Sequence, residues 1–146
     1  LTNGNLENGL EGWRGNAETT SEEKSEGLKS LKLSSENPVW YGLDQIADIP
    51  EGSASLDISA MVKTKDLKTG KNDWNTGVMI VEFSNDGTAK TSDDQPVFFV
   101  SETKEWQKFS KNILIPAGTK KYRIMLALSE ATGTMFVDDV QVRFSK

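Results

Sequence analysis

The sequence has 146 residues, a length that fits one domain with one continuous core. Hydrophobic residues make up 36% and charged residues 27%, the balance of an ordinary globular domain, and no apolar run is long enough to cross a membrane. The net charge of −5 is opposite in sign to that of a typical nucleic-acid binder. We therefore expect neither a nucleic acid nor a membrane as partner, and an anionic polysaccharide would be repelled.

The chain contains no cysteine and no histidine. Disulfides and thiolate metal sites are therefore excluded, and the commonest general base is absent. A metal ion bound here would be a hard ion held by oxygen atoms, which favours calcium. A glycosidase needs two carboxylates, but with 22 acidic residues such a pair arises by chance. Because nucleophile, phosphate-loop and zinc motifs are also absent from the sequence, we expect no enzymatic activity.

Short β-rich runs separated by glycine, proline, asparagine and aspartate predict an all-β chain without a helix. Such runs predict strands near residues 28–34, 40–46, 77–84, 97–100 and 106–115. Alternation of apolar and polar residues predicts further strands over 56–63, 122–129 and 136–144. Turns are predicted at 50–52, 85–87 and 116–118. About nine or ten strands with regular turns are typical of a two-sheet β-sandwich, or jelly roll.

Two polar segments, residues 65–75 and 85–95, lack this alternation. Both are predicted to be long exposed loops, which is where binding residues tend to lie.

Asp138 breaks the local pattern of its strand, because it shares the parity of Phe136 and Val140 and is therefore predicted on the core side. A buried carboxylate without partners costs several kcal/mol, so something must satisfy it. Two alternatives remain open at this stage: a network of backbone N–H groups, or a calcium ion.

The tryptophans have different surroundings. Trp74 lies in a polar loop, so we expect an exposed indole whose flat face suits the C–H face of a sugar ring. Trp40 precedes Tyr41 in a predicted strand, and one of these two rings must face away from the core. Trp13 lies in a glycine-rich turn and fits either the core or the surface, whereas Trp106 is interpreted as structural.

Several segments together resemble carbohydrate-binding modules of families 4, 9, 16 and 22. The opening of the chain, Asn3-Gly4-Asn5-Leu6-Glu7 and then Gly12-Trp13, is similar to theirs. The segments that follow are similar to later family motifs in the same order: Gly27-Leu28-Lys29-Ser30-Leu31, Trp40-Tyr41-Gly42 with Gln45, Trp106-Gln107-Lys108-Phe109-Ser110, Ile115-Pro116-Ala117-Gly118 and Phe136-Val137-Asp138-Asp139-Val140. The similarity spans nearly the whole chain.

This resemblance implies a β-jelly roll with a structural calcium ion and a glycan groove on a concave sheet. By the resemblance, the calcium ligands are the carboxylates of Glu7 and Asp138 and the backbone carbonyls of Glu26 and Lys29. The implied groove aromatics are Trp40 and Trp13. Some relatives carry a second stacking aromatic on the next-to-last strand, where this chain has Arg123, Met125, Ala127 and Ser129.

The function predicted from the sequence is a non-catalytic carbohydrate-binding module, residues 1–146, monomeric within a larger chain. It would attach a secreted or cell-surface polysaccharide-degrading enzyme to a neutral β-1,4-glucan or mannan, with xylan as the next choice. Aromatic stacking by Trp13, Trp40 and Trp74 would supply affinity. Candidates for reading sugar hydroxyls are Gln45, Glu82, Arg123 and Glu130.

The alternative hypothesis is a structural or adhesive, calcium-binding jelly-roll domain without a glycan site. Such a domain would keep Asp138 and its calcium ion but bury Trp13 and Trp40. A small hydrolase is the third and least favoured hypothesis.

Overall fold

The computed structural model of the protein describes residues 1–25, 27–103 and 105–146. In this part of the chain the secondary structure consists of β-strands, without a helix, which confirms the all-β prediction. The strands are β1 (Arg14–Gly15), β2 (Glu18–Thr20), β3 (Ser30–Ser35), β4 (Trp40–Asp48), β5 (Ser55–Lys68), β6 (Gly77–Ser84), β7 (Gln95–Val100), β8 (Gln107–Leu114), β9 (Lys121–Ser129) and β10 (Thr132–Ser145). Among the described residues, no helix has the length and apolar character needed to span a membrane.

The strands form two antiparallel five-stranded sheets that pack face to face. The front sheet has the order β1-β4-β9-β6-β7, and the back sheet has the order β2-β3-β10-β5-β8. Most neighbouring strands in each sheet come from distant parts of the chain, so loops cross repeatedly from one sheet to the other. The predicted two-sheet sandwich is confirmed.

The core lies between the sheets and follows the alternation seen in the sequence. Strand β9 contributes Tyr122, Ile124, Leu126 and Leu128, and strand β5 contributes Leu56, Ile58, Ala60 and Val62, all at most 1% exposed. Because side chains alternate along a strand, the residues between them point to the outer face of each sheet.

Strand β10 departs from the predicted alternation. Met135 and Val137 belong to the core, so Phe136 and Asp138 point to the outer face of the back sheet. A bulge between Asp138 and Gln141, where Asp139 has a φ of 48°, restores Val140 to the core. The predicted orientation of Asp138 is therefore wrong. Its carboxylate is nevertheless fully buried, because the loop before β3 covers it and Ser25 of that loop donates to it.

Of the two long loops predicted from the sequence, 65–75 and 85–95, the structure confirms the second and shortens the first. Residues 85–94 do connect β6 to β7 without a strand of their own. The other loop is shorter than predicted, because β5 continues to Lys68 and leaves only residues 69–76. Strand β5 bends at Asp66, which has a φ of 53°, against Gly133. A Cβ on Gly133 would clash with the Asp66 carbonyl oxygen, so this contact requires glycine.

Candidate functional site

The outer face of the front sheet carries an apolar row that crosses four strands, in which Ala127 and Val78 are covered by their neighbours (0% and 1% exposed) and Phe99 is exposed. Strand register aligns Gly42 on β4, Ala127 on β9, Val78 on β6 and Phe99 on β7. A Cβ on Gly42 would clash with the Leu126 carbonyl oxygen, so no side chain can rise at that position. We call Gly42, Ala127 and Val78 the groove floor, after the glycan groove that the sequence led us to expect on this face.

Trp40 stands beside the groove floor at the start of β4. Its side chain faces away from the core with 51% exposed, whereas the adjacent Tyr41 packs against the core, as the sequence predicted for this pair. A depression of about 400 Å³ opens next to the indole. It is lined by Arg14, Gly15, Trp40, Gly42, Leu43, Asp44, Arg123 and Met125.

Phe99 is a second exposed aromatic on this face, and the sequence reasoning missed it. Phe98 is buried and packs on Phe109 with ring centroids 5.0 Å apart, so Phe99 faces outward and is 48% exposed. The signal was available, because two consecutive aromatics in a strand cannot both face the core. Trp40 and Phe99 thus lie on the same face of the sheet, Trp40 on β4 and Phe99 on the edge strand β7, with the strands β9 and β6 between them.

A belt of paired charges runs beside the groove floor. The two carboxylate oxygens of Asp44 accept hydrogen bonds from Arg14 Nε at 2.8 Å and from Arg123 Nε at 2.6 Å. Arg123 Nη1 also lies 3.8 Å from Glu82 Oε2, and Lys90 Nζ reaches the same oxygen at 3.8 Å. Each charge in this belt therefore has a partner of opposite sign.

The protonation of Asp44 follows from this arrangement. Burial alone pushes the pKa of its carboxyl upward, but the hydrogen bonds and positive charges of Arg14 and Arg123 outweigh burial and hold the pKa below its ordinary value. Asp44 is thus an ion at neutral pH.

Trp74 and Glu130 lie in neighbouring segments at the end of the front sheet where Trp40 lies. Glu130 follows Ser129, the register partner of Trp40, and its side chain accepts a hydrogen bond from Asn75 Nδ2 at 3.0 Å. Trp74 precedes Asn75 and is 57% exposed. The structure thus brings three of the predicted site residues to one end, while Glu82 and Arg123 lie in the charged belt.

Trp13 and Gln45 do not line the groove, and their predicted roles in sugar binding are corrected. Trp13 is 8% exposed in the core, and its indole N–H donates to the Asn3 carbonyl at 3.1 Å. Gln45 is 5% exposed, and its amide bonds the backbone N–H and carbonyl of Thr2 at 2.7 and 3.0 Å. Both side chains fasten the first residues of the chain to the sandwich. Gln45 has the inward parity of Leu43 on β4, which is the physical reason.

No protein-family model and no curated protein matches this sequence. Solved structures do match its fold. A carbohydrate-binding module of family 16 has a TM-score of 0.64 at 18% identity, with 98% of both chains covered. A family 61 module in complex with β-1,4-galactotriose has a TM-score of 0.62 at 16% identity, covering 99% of this chain and 97% of the other. The fold is that of a jelly-roll carbohydrate-binding module.

The same fold also occurs inside larger proteins. The enzymatically active domain of tailspike protein 4 of bacteriophage CBA120 matches 99% of this chain with a TM-score of 0.81 at 13% identity. This chain spans only 21% of that tailspike chain, but nearly the whole length of the family 16 and 61 modules.

The predicted metal ligands lie around one segment, residues 25–29. Glu7 accepts the backbone N–H groups of Leu28 at 2.7 Å and Lys29 at 2.9 Å. Asp138 accepts those of Ser25 at 3.0 Å and Asp139 at 2.8 Å. Glu26, the fourth predicted ligand, lies outside the described residues.

The donor chemistry of this locus fits a hard cation, because two carboxylates and a stretch of backbone offer only oxygen ligands. In the described part of the chain, no group of three or more acidic side chains converges on one point. Calcium would therefore need Glu7, Asp138, backbone carbonyls and water together. Since Asp138 already accepts backbone N–H groups, the locus is compatible with both alternatives drawn from the sequence.

Proposed function

We propose that this chain is a non-catalytic carbohydrate-binding module whose glycan lies on the outer face of the front sheet. The observation that carries the proposal is Trp40, half exposed beside the small residues Gly42 and Ala127, which raise no large side chain next to its ring. An apolar patch on a protein surface is typical of an interaction site, and an indole face is complementary to the C–H face of a sugar ring. Phe99 supplies a second such ring on the far side of the floor.

The glycan that fits this face best is neutral. Asp44, Glu82 and Asp94, which pairs with Lys90 at 3.2 Å, compensate Arg14, Arg123 and Lys90, so the described belt offers no unpaired positive charge to an acidic sugar. Arg14 keeps part of its guanidinium in solvent, with a side chain 63% exposed, and its remaining N–H groups can donate to hydroxyls. A β-1,4-glucan or mannan is the preferred class, and xylan the next. In support, similar modules are described with β-1,4-galactotriose and as xylan-binding.

The charged belt also speaks against a glycosidase site here. The general acid of a glycosidase needs a raised pKa, whereas the pKa of Asp44 is lowered by its two arginine partners. Binding without turnover is the chemistry that this face supports.

The module would act as part of a larger extracellular chain that degrades polysaccharide. The same fold covers 21% of the phage tailspike chain and 24% of an α-L-arabinofuranosidase chain, which supports an accessory role beside a catalytic domain. We also propose a structural calcium ion held by the carboxylates of Glu7 and Asp138 and by backbone carbonyls of residues 26 and 29.

The competing hypothesis is a structural or adhesive domain without a glycan site. It predicts that both Trp13 and Trp40 are buried. Trp13 is buried, but Trp40 exposes half of its surface, which favours the binding module.

The decisive experiment is calorimetry of the wild type and Trp40→Ala against a panel of neutral polysaccharides. We expect the substitution to leave the melting temperature nearly unchanged and to weaken binding by at least about 1 kcal/mol, the scale of an interface contact residue. Phe99→Ala should weaken binding of the same glycan, since its ring lies on the same face.

Trp13→Ala serves as the matched control, because it removes the same side chain from the core. It should destabilise the protein by about 3–5 kcal/mol. A wild type that binds none of the neutral glycans would reject the proposal, as would equal affinity of the wild type and Trp40→Ala.

A further inference from the structure

Asn75 is a buried hub at the tryptophan end of the groove. Its side chain is a buried polar group, 3% exposed, and its hydrogen bonds reach two separate segments of the chain. Its Oδ1 accepts from the backbone N–H and the side-chain Nδ2 of Asn72 at 3.0 and 3.1 Å. Its Nδ2 donates to Glu130 Oε2 at 3.0 Å. One amide thus joins the loop of residues 69–76 to the turn between β9 and β10.

The backbone reinforces this junction. Gly70 N–H donates to the Asn75 carbonyl at 2.6 Å, and Asn75 N–H donates to the Asn72 carbonyl at 3.0 Å. A Cβ on Gly70 would clash with the Glu130 carbonyl oxygen, so the loop lies directly against the turn. Although Trp74 belongs to a loop, its backbone neighbour Asn75 is therefore fixed before any ligand arrives.

We propose that Asn75 is a positioning residue that holds Trp74 and Glu130 as a preformed subsite for one sugar unit at the end of the bound glycan chain. The inference rests on the proposed function and assigns this end of the groove a separate role. Asn75 holds Glu130 Oε2, and because the Glu130 residue is exposed, its other carboxylate oxygen is left as an acceptor for sugar hydroxyls. Preforming the loop reduces the entropy that would otherwise be lost on binding.

The test exchanges the hydrogen-bond donor and acceptor between positions 75 and 130. Asn75→Asp places two carboxylates side by side and should repel Glu130 from its position. Adding Glu130→Gln to the same chain supplies an amide donor to the introduced carboxylate, whose second oxygen still accepts from Asn72. We expect Asn75→Asp to weaken glycan binding about tenfold, or about 1.4 kcal/mol, and the double variant to recover most of that loss.

Binding and melting measurements together separate the outcomes. The wild type, Trp40→Ala and the Asn75 variants are titrated with the same neutral oligosaccharide, and their melting temperatures are measured in parallel. Loss of affinity in Asn75→Asp at a retained melting temperature, with recovery in the double variant, supports the inference. Wild-type affinity of folded Asn75→Asp would overturn it and leave the proposed function standing.

A variant without added charge covers the case in which Asn75→Asp does not fold. Asn75→Ala removes the donor to Glu130 and should weaken binding about tenfold. Wild-type affinity of Asn75→Ala overturns the inference. Absence of binding by the wild type itself would instead reject the proposed function, so the two failures are distinguishable.

Discussion

The outer faces of the two sheets differ in how much of their aromatic side chains they expose to solvent. On the front sheet, Trp40 and Phe99 expose 51% and 48% of their surface beside the groove floor. On the back sheet, Phe136 is only 6% exposed, and Asp138 is fully buried. Phe136 lies between its register partners Lys32 and Lys63, and Asp138 is covered by the loop before β3, residues 21–25 and 27–29 of the described chain, which we call the covering loop.

The covering loop is fastened to the back sheet by charge. Glu23 pairs with Lys63 at 2.8 Å, and Ser25 N–H donates to the Asp138 carboxylate. Glu7 holds the end of the same loop through two backbone N–H groups. An apolar ring that is covered in this way stabilises the fold, whereas an uncovered ring on a flat sheet is available to a ligand.

The strongest test of this contrast is Phe136→Ala. Because the ring is buried, its removal should lower the free energy of unfolding by about 3–5 kcal/mol, measured by urea denaturation. The folded fraction should bind glycan with unchanged affinity. Trp40→Ala is the opposite case, with loss of affinity and little loss of stability. If Phe136→Ala weakened glycan binding without destabilising the protein, the assignment of the two faces would be wrong.

A smaller loss of stability is expected from substitution of Asp138, which also tests whether calcium binds at this carboxylate. Asp138→Ala leaves the N–H groups of Ser25 and Asp139 unpaired and should cost about 1–3 kcal/mol of stability. If calcium binds there, a chelator should lower the melting temperature of the wild type, because an ion bound only by the native state stabilises it. The chelator should have no effect on Asp138→Ala.

Asp57→Ala is the control for the loss of one carboxylate from the same sheet, since Asp57 bonds only the exposed Asn112 in the described network. An unchanged melting curve of the wild type after complete metal removal would reject the calcium proposal. The covering loop would then depend on the hydrogen bonds alone.

The smallest expected effect concerns the charged belt of the front face. The lowered pKa of Asp44 means that its ion pairs stabilise the fold fully above the unfolded-state value of about 4. This contribution disappears as the pH falls through the lower folded-state pKa. The free energy of unfolding of the wild type should thus exceed that of Asp44→Asn by a constant amount, on the order of 1 kcal/mol, from about pH 7 to 5. Below about pH 4 this difference should shrink toward zero.

Glu51→Gln, in the exposed turn before β5, controls for the change in net charge. Chemical denaturation at each pH provides the measurement. A difference that grows as the pH falls below about 4 would contradict the lowered pKa of Asp44.

Most of the fold could be predicted from local sequence patterns. The alternation in β5 and β9 identifies the residues of the core directly, because side chains in a strand point alternately to its two faces. Turn residues such as those at 50–52 and 116–118 separate the strands where the structure separates them. The same alternation, applied to Trp40 and Tyr41, required one of the two rings to face away from the core, and the structure shows that this ring is Trp40.

The candidate site could be predicted only in part. Trp40, Trp74 and Glu130 are named from the sequence and lie in segments at one end of the front sheet, although their glycan-binding roles remain predictions. Gln45 was predicted to read sugar hydroxyls, but it shares the inward parity of Leu43 and is buried, so strand parity alone would have excluded it from the outer face. Phe99 was missed although it adjoins Phe98.

What the sequence determined by itself is the alternation within each strand, because that depends only on neighbouring residues. Tertiary structure decided which strands lie side by side and therefore that Trp40 and Phe99 share one face. It also decided where the alternation is interrupted, since the bulge at Asp139 turns Asp138 away from the core. Strand order and bulges depend on pairing between distant segments, and a local pattern carries no record of that pairing.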